Sequence, residues 1–303
     1  MFDIEDIFEA ESPSHAVELL RQYPGAKIIA GGSDVLIHIR SGKLAGCTLI
    51  SLQKIDELRG VSIDDNGAIR IGSLMSFSHV ADDHVIQNLF PTLAEAVLTI
   101  GGPQIRSIGT IGGNVCNGVT SADSASTLLA FDAILEYFGG RGGKGCGTRL
   151  VPIAEHYGAA GKTALAHDEI LTAIIIPKES YENCFGNYIK YSMRNAMDIA
   201  AIGCSANVRL SPGKKNIERL RLAYGVAGPV PLRASGAERL AVGREISSKA
   251  AAAETAGTVA KAALGDINPR ESWRAGREFR LHLAEELAKR AITESLKRAG
   301  AAV

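Results

Sequence analysis

Two glycine-bearing segments carry the clearest chemical signal in the chain: Ala30-Gly31-Gly32-Ser33-Asp34 and Gly109-Thr110-Ile111-Gly112-Gly113-Asn114. Lacking a Cβ, glycine lets backbone N–H groups approach a diphosphate closely, and the short hydroxyl residues Ser33 and Thr110 add donors without bulk. Either segment alone also reads as a tight turn. Together they predict two cradles that hold one pyrophosphate from both sides. A third run, Gly140-Arg141-Gly142-Gly143-Lys144-Gly145, fits GxGxxG but leads into Thr148 to Ile153, a strand pattern where a phosphate-binding helix is required. It fails as a P-loop too, because glycine follows Lys144 where Ser or Thr is needed.

Other site chemistries find no support. The five cysteines, Cys47, Cys116, Cys146, Cys184 and Cys204, form no CxxC and are odd in number, which argues against a disulfide framework, a zinc site or a cluster of iron-binding thiolates. The seven histidines show no HxH, HxxxH or HExxH spacing, and Ser121, Ser124 and Ser126 lie in no nucleophile elbow. A chain without an acid–base constellation is expected where a cofactor carries the chemistry.

The elements that must position these loops can be read from composition and periodicity. At 303 residues the chain is long for one core, and 46% hydrophobic content suits two globular domains. Thirty-three basic residues against 33 acidic ones leave no field for a polyanion, so nucleic-acid binding is excluded. The start, Met1-Phe2-Asp3-Ile4-Glu5-Asp6, is acidic where a signal peptide is basic, and no apolar run nears the length of a membrane span; a soluble, cytoplasmic protein is expected.

A helix is predicted over Ser14 to Gln22 with Ser14 as N-cap, then a strand at Lys27 to Ala30, the first glycine loop, and a helical turn from Val35 to Ile39. Thr48 to Leu52 and Ala68 to Ser73 read as strands, the latter reached through the turn Asp65-Asn66-Gly67. Helices follow over Phe77 to Val85 and Asn88 to Ile100, and the glycine-rich stretch from Gly101 to Gly118 shows little periodicity of either kind. After a helix from Ala122 to Phe131, a hairpin joins Ala133–Phe138 to Arg149–Ile153, and Glu169 to Pro177 is a strand closed by proline. Beyond a boundary near Lys178 come long strands at Gly186 to Arg194, Ile199 to Leu210 and Glu218 to Ala227. Alanine-rich helices complete the chain, including Arg277 to Arg298 with Phe279, Leu283, Leu287 and Ile292 near one face.

The pairing of AGGSD at 30–34 with TIGGN at 110–114 resembles the paired FAD-binding motifs of the flavin domain shared by molybdenum hydroxylases. The likeness runs along essentially the whole chain, through Ser121-Ala122-Asp123, Asp168-Glu169-Ile170-Leu171, Lys190-Tyr191-Ser192-Met193-Arg194 and Met197-Asp198-Ile199-Ala200. Tyr224-Gly225-Val226-Ala227 and the segment Trp273 to Arg280 look most like the separate FAD subunit of bacterial xanthine dehydrogenases.

This resemblance implies an α+β fold: a two-lobed FAD-binding domain over residues 1–177, then a C-terminal domain over 178–303 with a three-stranded antiparallel sheet packed by helices. It implies that Lys27, Ile28 and Ile29 with the 30–34 loop, and Gly109 to Asn114, wrap the FAD diphosphate and adjoining sugar. Asp123 would accept a hydrogen bond from a ribityl or ribose hydroxyl, or else serve as a helix N-cap. Ile170 and Ile189 match flavin-lining positions, although both also suit a strand core. Lys190 would stabilise negative charge on reduced flavin or phosphate, or else stand solvated on an alternating strand. Ile100 falls where some members place an aromatic residue against the flavin. The implied partners are a molybdopterin-binding large subunit and a 2Fe-2S small subunit, in a dimer of heterotrimers, with electrons passing from the clusters through FAD to NAD. Alternatives are a carbon monoxide dehydrogenase-type medium subunit, a free-standing flavin reductase of the wider superfamily, and an assembly protein with vestigial loops. Trp273 with Arg270, Arg274, Arg277 and Arg280 reads either as a partner-docking face or as a charged helix start with one buried aromatic.

Overall fold

The structure, a computed structural model, describes residues 2–143, 145–301 and 303. The chain folds as α+β, in two lobes followed by a sheet-and-helix layer. Lobe one is a parallel sheet of order β1-β3-β2, built from β1 (Ile4–Glu9), β2 (Lys27–Ile29) and β3 (Cys47–Ser51), with α1 (Pro13–Gln22) and α2 (Val35–Arg40) as connections. Helix α1 is capped by Ser12, which accepts from the His15 N–H at 3.1 Å, in place of the expected Ser14. Pro13 has no N–H to satisfy and fits the first helical position, so the cap falls one residue before it. Ala16, Leu19, Leu20, Ile50 and Leu52 form the core of this lobe.

Lobe two is an antiparallel sheet of order β4-β5-β10-β6-β7, made of β4 (Val61–Ile63), β5 (Ile69–Gly72), β6 (Ile134–Gly139), β7 (Gly147–Pro152) and β10 (Glu169–Ile176). A small hairpin, β8 (Tyr157–Ala159) with β9 (Lys162–Thr163), lies beside it. The turn between β4 and β5 is held by Asp64 Oδ1, which accepts from Asn66 N at 2.9 Å and Ala68 N at 2.8 Å. The two helices expected over 77–100 are three: α3 (Phe77–Asp82), α4 (His84–Leu89) and α5 (Pro91–Leu98). Asp83 caps α4 through the N–H groups of Val85 and Ile86, and Pro91 cannot continue a preceding helix. The stretch expected to lack periodicity contains α6 (Pro103–Ile108) and α7 (Ile111–Cys116), both under two turns and so too short to show it. Helix α8 (Asp123–Ala130) is buried along its whole length between this lobe and the C-terminal sheet.

After the short α9 (Lys178–Tyr181), three long antiparallel strands follow, β11 (Cys184–Tyr191), β12 (Ile202–Leu210) and β13 (Ile217–Gly225). The two-residue β14 (Leu232–Arg233) adds a fourth strand to the expected three. Helices α10 (Ser235–Ala241), α11 (Lys249–Ala263) and α12 (Arg277–Arg298) pack together on this layer, and α12 has the bounds its periodicity predicts. Its buried face differs in one respect: Phe279 is 45% exposed, while Arg280 is 1% exposed. The Arg280 guanidinium donates to the carbonyls of Ala201 and Ala275 and to Ser272 Oγ, which is how a cation is accommodated there. Among the described residues no helix is long and apolar enough to cross a membrane.

His156 ties lobe two together from inside. Fully buried, it donates from Nε2 to the Val115 carbonyl at 3.1 Å and accepts at Nδ1 from the Tyr137 hydroxyl. Because a carbonyl can only accept, the ring is the neutral Nε2–H tautomer. Burial lowers its pKa. The unfolded chain therefore binds a proton below about pH 6.5 that the folded chain refuses. Urea midpoints should fall as pH drops from 7 to 5.5, by at most ~1.4 kcal/mol per pH unit from this residue. In His156→Gln that portion of the pH dependence should vanish; an unchanged slope would remove His156 from the explanation.

Candidate cofactor-binding site

The first glycine loop leaves β2 at Ala30 and turns through Gly32, whose φ of +73° is left-handed, before α2 begins at Val35. Its neighbour in space is the second loop. A Cβ on Gly31 would overlap the Ile108 carbonyl and lie 2.9 Å from the Gly109 Cα, so the two backbones touch only because residue 31 has no side chain. A hydrogen bond from Asn117 Nδ2 to Asp34 Oδ2, 2.5 Å long, closes the contact at its far end. Gln53 Nε2 holds the near end through the Ala30 carbonyl at 2.7 Å.

The second loop is fixed from beneath. Ile111 N donates to Met75 O at 2.9 Å, Gly112 N to Ser73 O at 3.0 Å and Gly113 N to Thr110 Oγ1 at 3.1 Å. A side chain on Gly112 would run into Ser73, 2.6 Å from its Cβ. Ser124 Oγ donates to Asn114 Oδ1 at 2.6 Å. This accounting separates the loops. Gly109, Ile111, Gly112, Gly113 and Asn114 all have their N–H groups used internally, leaving that of Thr110. The N–H groups of Gly31, Gly32, Ser33 and Asp34 meet no acceptor among the described residues. The first loop thus offers a run of open donors, as an anion-binding nest does, and the second is a rigid wall against it.

Of the two readings the sequence left open for Asp123, the helix N-cap is not the one observed: the N-cap of α8 is Ala122, with no side-chain cap. Its carboxylate, 8% exposed, accepts from the Tyr188 hydroxyl at 2.8 Å and from Lys190 Nζ at 2.8 Å. Lys190 Nζ also donates to Thr99 O at 3.0 Å, so the solvated-lysine alternative is replaced by a buried ion pair. Burial pushes the Asp123 carboxyl above its ordinary value, and the Lys190 ammonium and the Tyr188 hydroxyl draw it back down. Tyr188 was not singled out from the sequence. Strand alternation could have found it, since positions 188 and 190 of β11 share a face.

Ile189 has the opposite parity and packs against the C-terminal core with α12, so the structure does not bring it to the glycine loops. Ile170, 2% exposed, belongs to the lobe-one core against which Ile28 and Ala30 pack, and supports the first loop from behind. Lys27 is exposed at the start of β2, and Ile28 and Ile29 are half-buried. Ile100 is a core residue of lobe two. The third glycine run is a hairpin tip with no helix after it: Asp168 accepts from Gly142 N at 2.8 Å and from Arg21 Nε at 3.1 Å, and Arg21 also reaches Gly145 O. Lys144 lies outside the described residues. Among the described residues no group of His, Cys, Asp or Glu could hold a metal ion.

Comparisons with known proteins define the class. Residues 2–179 match the family model described as "FAD binding domain in molybdopterin dehydrogenase", and residues 187–295 match "CO dehydrogenase flavoprotein C-terminal domain". The chain belongs to the FAD-binding subunits of the molybdenum hydroxylase family. Within it, the chain is 41% identical over 300 residues to the xanthine dehydrogenase FAD-binding subunit of Escherichia coli O157:H7, covering 99% of each. It is 28% identical over 297 residues to the carbon monoxide dehydrogenase medium chain of Hydrogenophaga pseudoflava, covering 96% of this chain and 98% of that one. The solved carbon monoxide dehydrogenase from the same organism superposes with a TM-score of 0.88 at 27% identity over 98% of this chain and 99% of that one. The chain is therefore an oxidoreductase subunit carrying an FAD-binding domain.

The Asp123–Lys190 pair joins the FAD-binding region to β11 of the C-terminal layer with both side chains 8% exposed. Asp123→Asn leaves the ammonium buried without a counter-charge and should cost about 3–5 kcal/mol in urea unfolding. The double variant Asp123→Asn with Lys190→Met should cost less than the sum of the two single changes. Additive losses would show that the two groups do not act as a pair.

Proposed function

We propose that this chain holds FAD across the 30–34 and 109–114 loops and passes electrons to NAD within a cytoplasmic xanthine dehydrogenase-type complex. The electrons come from 2Fe-2S clusters on a small partner subunit, which receives them from a molybdopterin-binding large subunit; the assembly is a dimer of heterotrimers. Residues 1–177 form the FAD-binding domain in this reading and residues 178–303 the second domain.

The observation that carries it is the Gly31 contact with Ile108 and Gly109, which sets the open N–H groups of 31–34 against the second loop. Such a run of uncharged donors fits a diphosphate. Bound FAD supplies reversible electron storage. This chain's residues do the rest. Gly31, Gly32, Ser33 and Asp34 bind the diphosphate through their N–H groups, and Lys27, Ile28 and Ile29 fix the strand from which that loop springs. Gly109, Thr110, Ile111, Gly112, Gly113 and Asn114 form the opposing wall. Asp123, oriented by Tyr188 and Lys190, keeps lone pairs for a ribityl hydroxyl, since a carboxylate accepts about four hydrogen bonds. Ile170 supports the loop, and Lys190 holds the Thr99 carbonyl beside Ile100. The higher identity to the xanthine dehydrogenase subunit, 41% against 28%, favours that branch over the carbon monoxide branch.

The purified chain, reconstituted with FAD, should show flavin absorbance that bleaches on anaerobic addition of NADH. A colourless product after reconstitution would refute FAD binding, and bleaching by a reduced ferredoxin but not by NADH would refute the NAD assignment. Gly31→Ala forces the Ile108 carbonyl aside at about 1–3 kcal/mol. Since ~1.4 kcal/mol is tenfold in affinity, FAD retention should drop roughly tenfold in that variant.

A further inference from the structure

The first glycine loop can grip an anion only if its N–H groups are turned toward one side, and the bonds around it show what turns them. No described peptide bond is cis, so the carbonyl of one residue and the N–H of the next point in opposite directions. A bond that fixes the Ala30 carbonyl therefore also fixes where the Gly31 N–H points. Gln53 Nε2 makes that bond at 2.7 Å. Further along, Leu36 N donates to the Gly32 carbonyl at 3.1 Å and in the same way sets the Ser33 N–H. The second brace is backbone and comes with the start of α2. The first is a side chain, and among the described residues no other side chain bonds to the backbone of residues 30–34. Glycine at 31 makes such a brace matter, because a residue without a Cβ leaves its flanking peptides the widest range of rotation.

Gln53 reaches Ala30 because the pairing of β2 with β3 runs on past both strands: Ile29 lies opposite Ser51, and Leu52 N donates to Ile29 O at 3.1 Å. In this parallel arrangement the residue after Leu52 stands beside the residue after Ile29. An amide side chain has a donating and an accepting end, and either could face a neighbour. Arg59 decides between them. Its Nη2 donates to Gln53 Oε1 at 2.9 Å and to Gln53 O at 3.0 Å, and a guanidinium has no atom to accept with. Oε1 is thereby held on the arginine side and Nε2 is left for Ala30. The reverse orientation would set two carbonyl oxygens against each other and an NH2 group against a cation. Both side chains are exposed, so neither belongs to a core.

We infer that Gln53 is a positioning residue for the cofactor's diphosphate: directed by Arg59, it turns the 30–31 peptide so that the Gly31 N–H joins the open donors of the loop. The inference rests on the proposed function, since the diphosphate site whose orientation it assigns is the one proposed there. Gln53 acts through the peptide, and Arg59 acts through Gln53.

The test uses the complex purified through a tag on this chain, depleted of FAD and titrated with it, with urea midpoints measured on the same preparations. Gln53→Met keeps the length of the side chain and removes both ends of the amide. At an exposed position the urea midpoint should hardly move, while the Kd for FAD should rise roughly five- to tenfold on loss of one directed hydrogen bond. At saturating FAD the amides of residues 31–34 should exchange with deuterium faster than in the wild type, and those of 111–113 at the wild-type rate. Arg59→Met should weaken FAD binding by a smaller factor, and the double variant should bind FAD no worse than Gln53→Met alone. Wild-type affinity in Gln53→Met would overturn the inference, as would additive losses in the double variant. A urea midpoint that falls in step with affinity would overturn it too, by reducing Gln53 to a brace of the fold. A wild-type complex that takes up no FAD would instead overturn the proposed function, which wild-type affinity in Gln53→Met would leave standing.

Discussion

The backbone-to-backbone contact between residue 31 and residues 108–109 is the constraint on which the site depends. A parallel βαβ lobe and an antiparallel lobe have no hydrogen-bonded strand in common here, so their relative position must be set by side-chain core and by loops. The core contribution is Leu74 and Ile170 of lobe two, which are buried in the cluster of lobe one. The loop contribution is the absence of a side chain at Gly31, which lets one loop lie on the other. Close approach in turn fixes what each loop can do. The second loop, braced by Met75, Ser73 and its own Thr110, has nearly exhausted its donors, and the four N–H groups of the first meet no acceptor among the described residues. A rigid wall facing an unsatisfied nest is a division of labour that the two glycine motifs, looking alike in sequence, conceal.

Charge is used for a different purpose. Several buried and half-buried ion pairs lie at seams: Asp123 with Lys190 between α8 and β11, Asp132 with Arg221 and Arg233 between lobe two and the C-terminal sheet, and Arg298 with Glu95 across α12 and α5. A directional charged pair specifies how two apolar layers register, which hydrophobic contact alone leaves loose. Asn207 adds to the same seam by donating to Ala130 O at 3.2 Å and Ser180 O at 2.9 Å.

Periodicity over long stretches made much of this architecture legible. The 22 residues of α12 and the three long strands of the C-terminal sheet follow from it, as does the hairpin of β6 and β7. The features that escaped are short, exposed or polar. Strand β1 is an edge strand with Ile7 56% exposed, so burial imposes no clean alternation on it. Helices α6 and α7 are six residues each, less than one full repeat of an apolar face. Arg280 sits at a core position because carbonyls from two loops converge on it, a tertiary fact that no local window holds. Within the site, the paired loops were visible as glycines, but Tyr188 was not. For Ile189, the period of two along β11 places it away from Lys190, a local signal at odds with the flavin-lining role that the resemblance implied.

These assignments bear on how a flavin would be held. A diphosphate could be gripped by lysines or arginines, but full charges beside a flavin alter the relative stability of its oxidised and reduced states, because each added electron is felt by every nearby charge. The open donors of 31–34 are dipoles, which would bind phosphate oxygens without adding a formal charge. The Lys190 ammonium is matched at 2.8 Å by Asp123, so that pair presents no net charge while still fixing the Thr99 carbonyl.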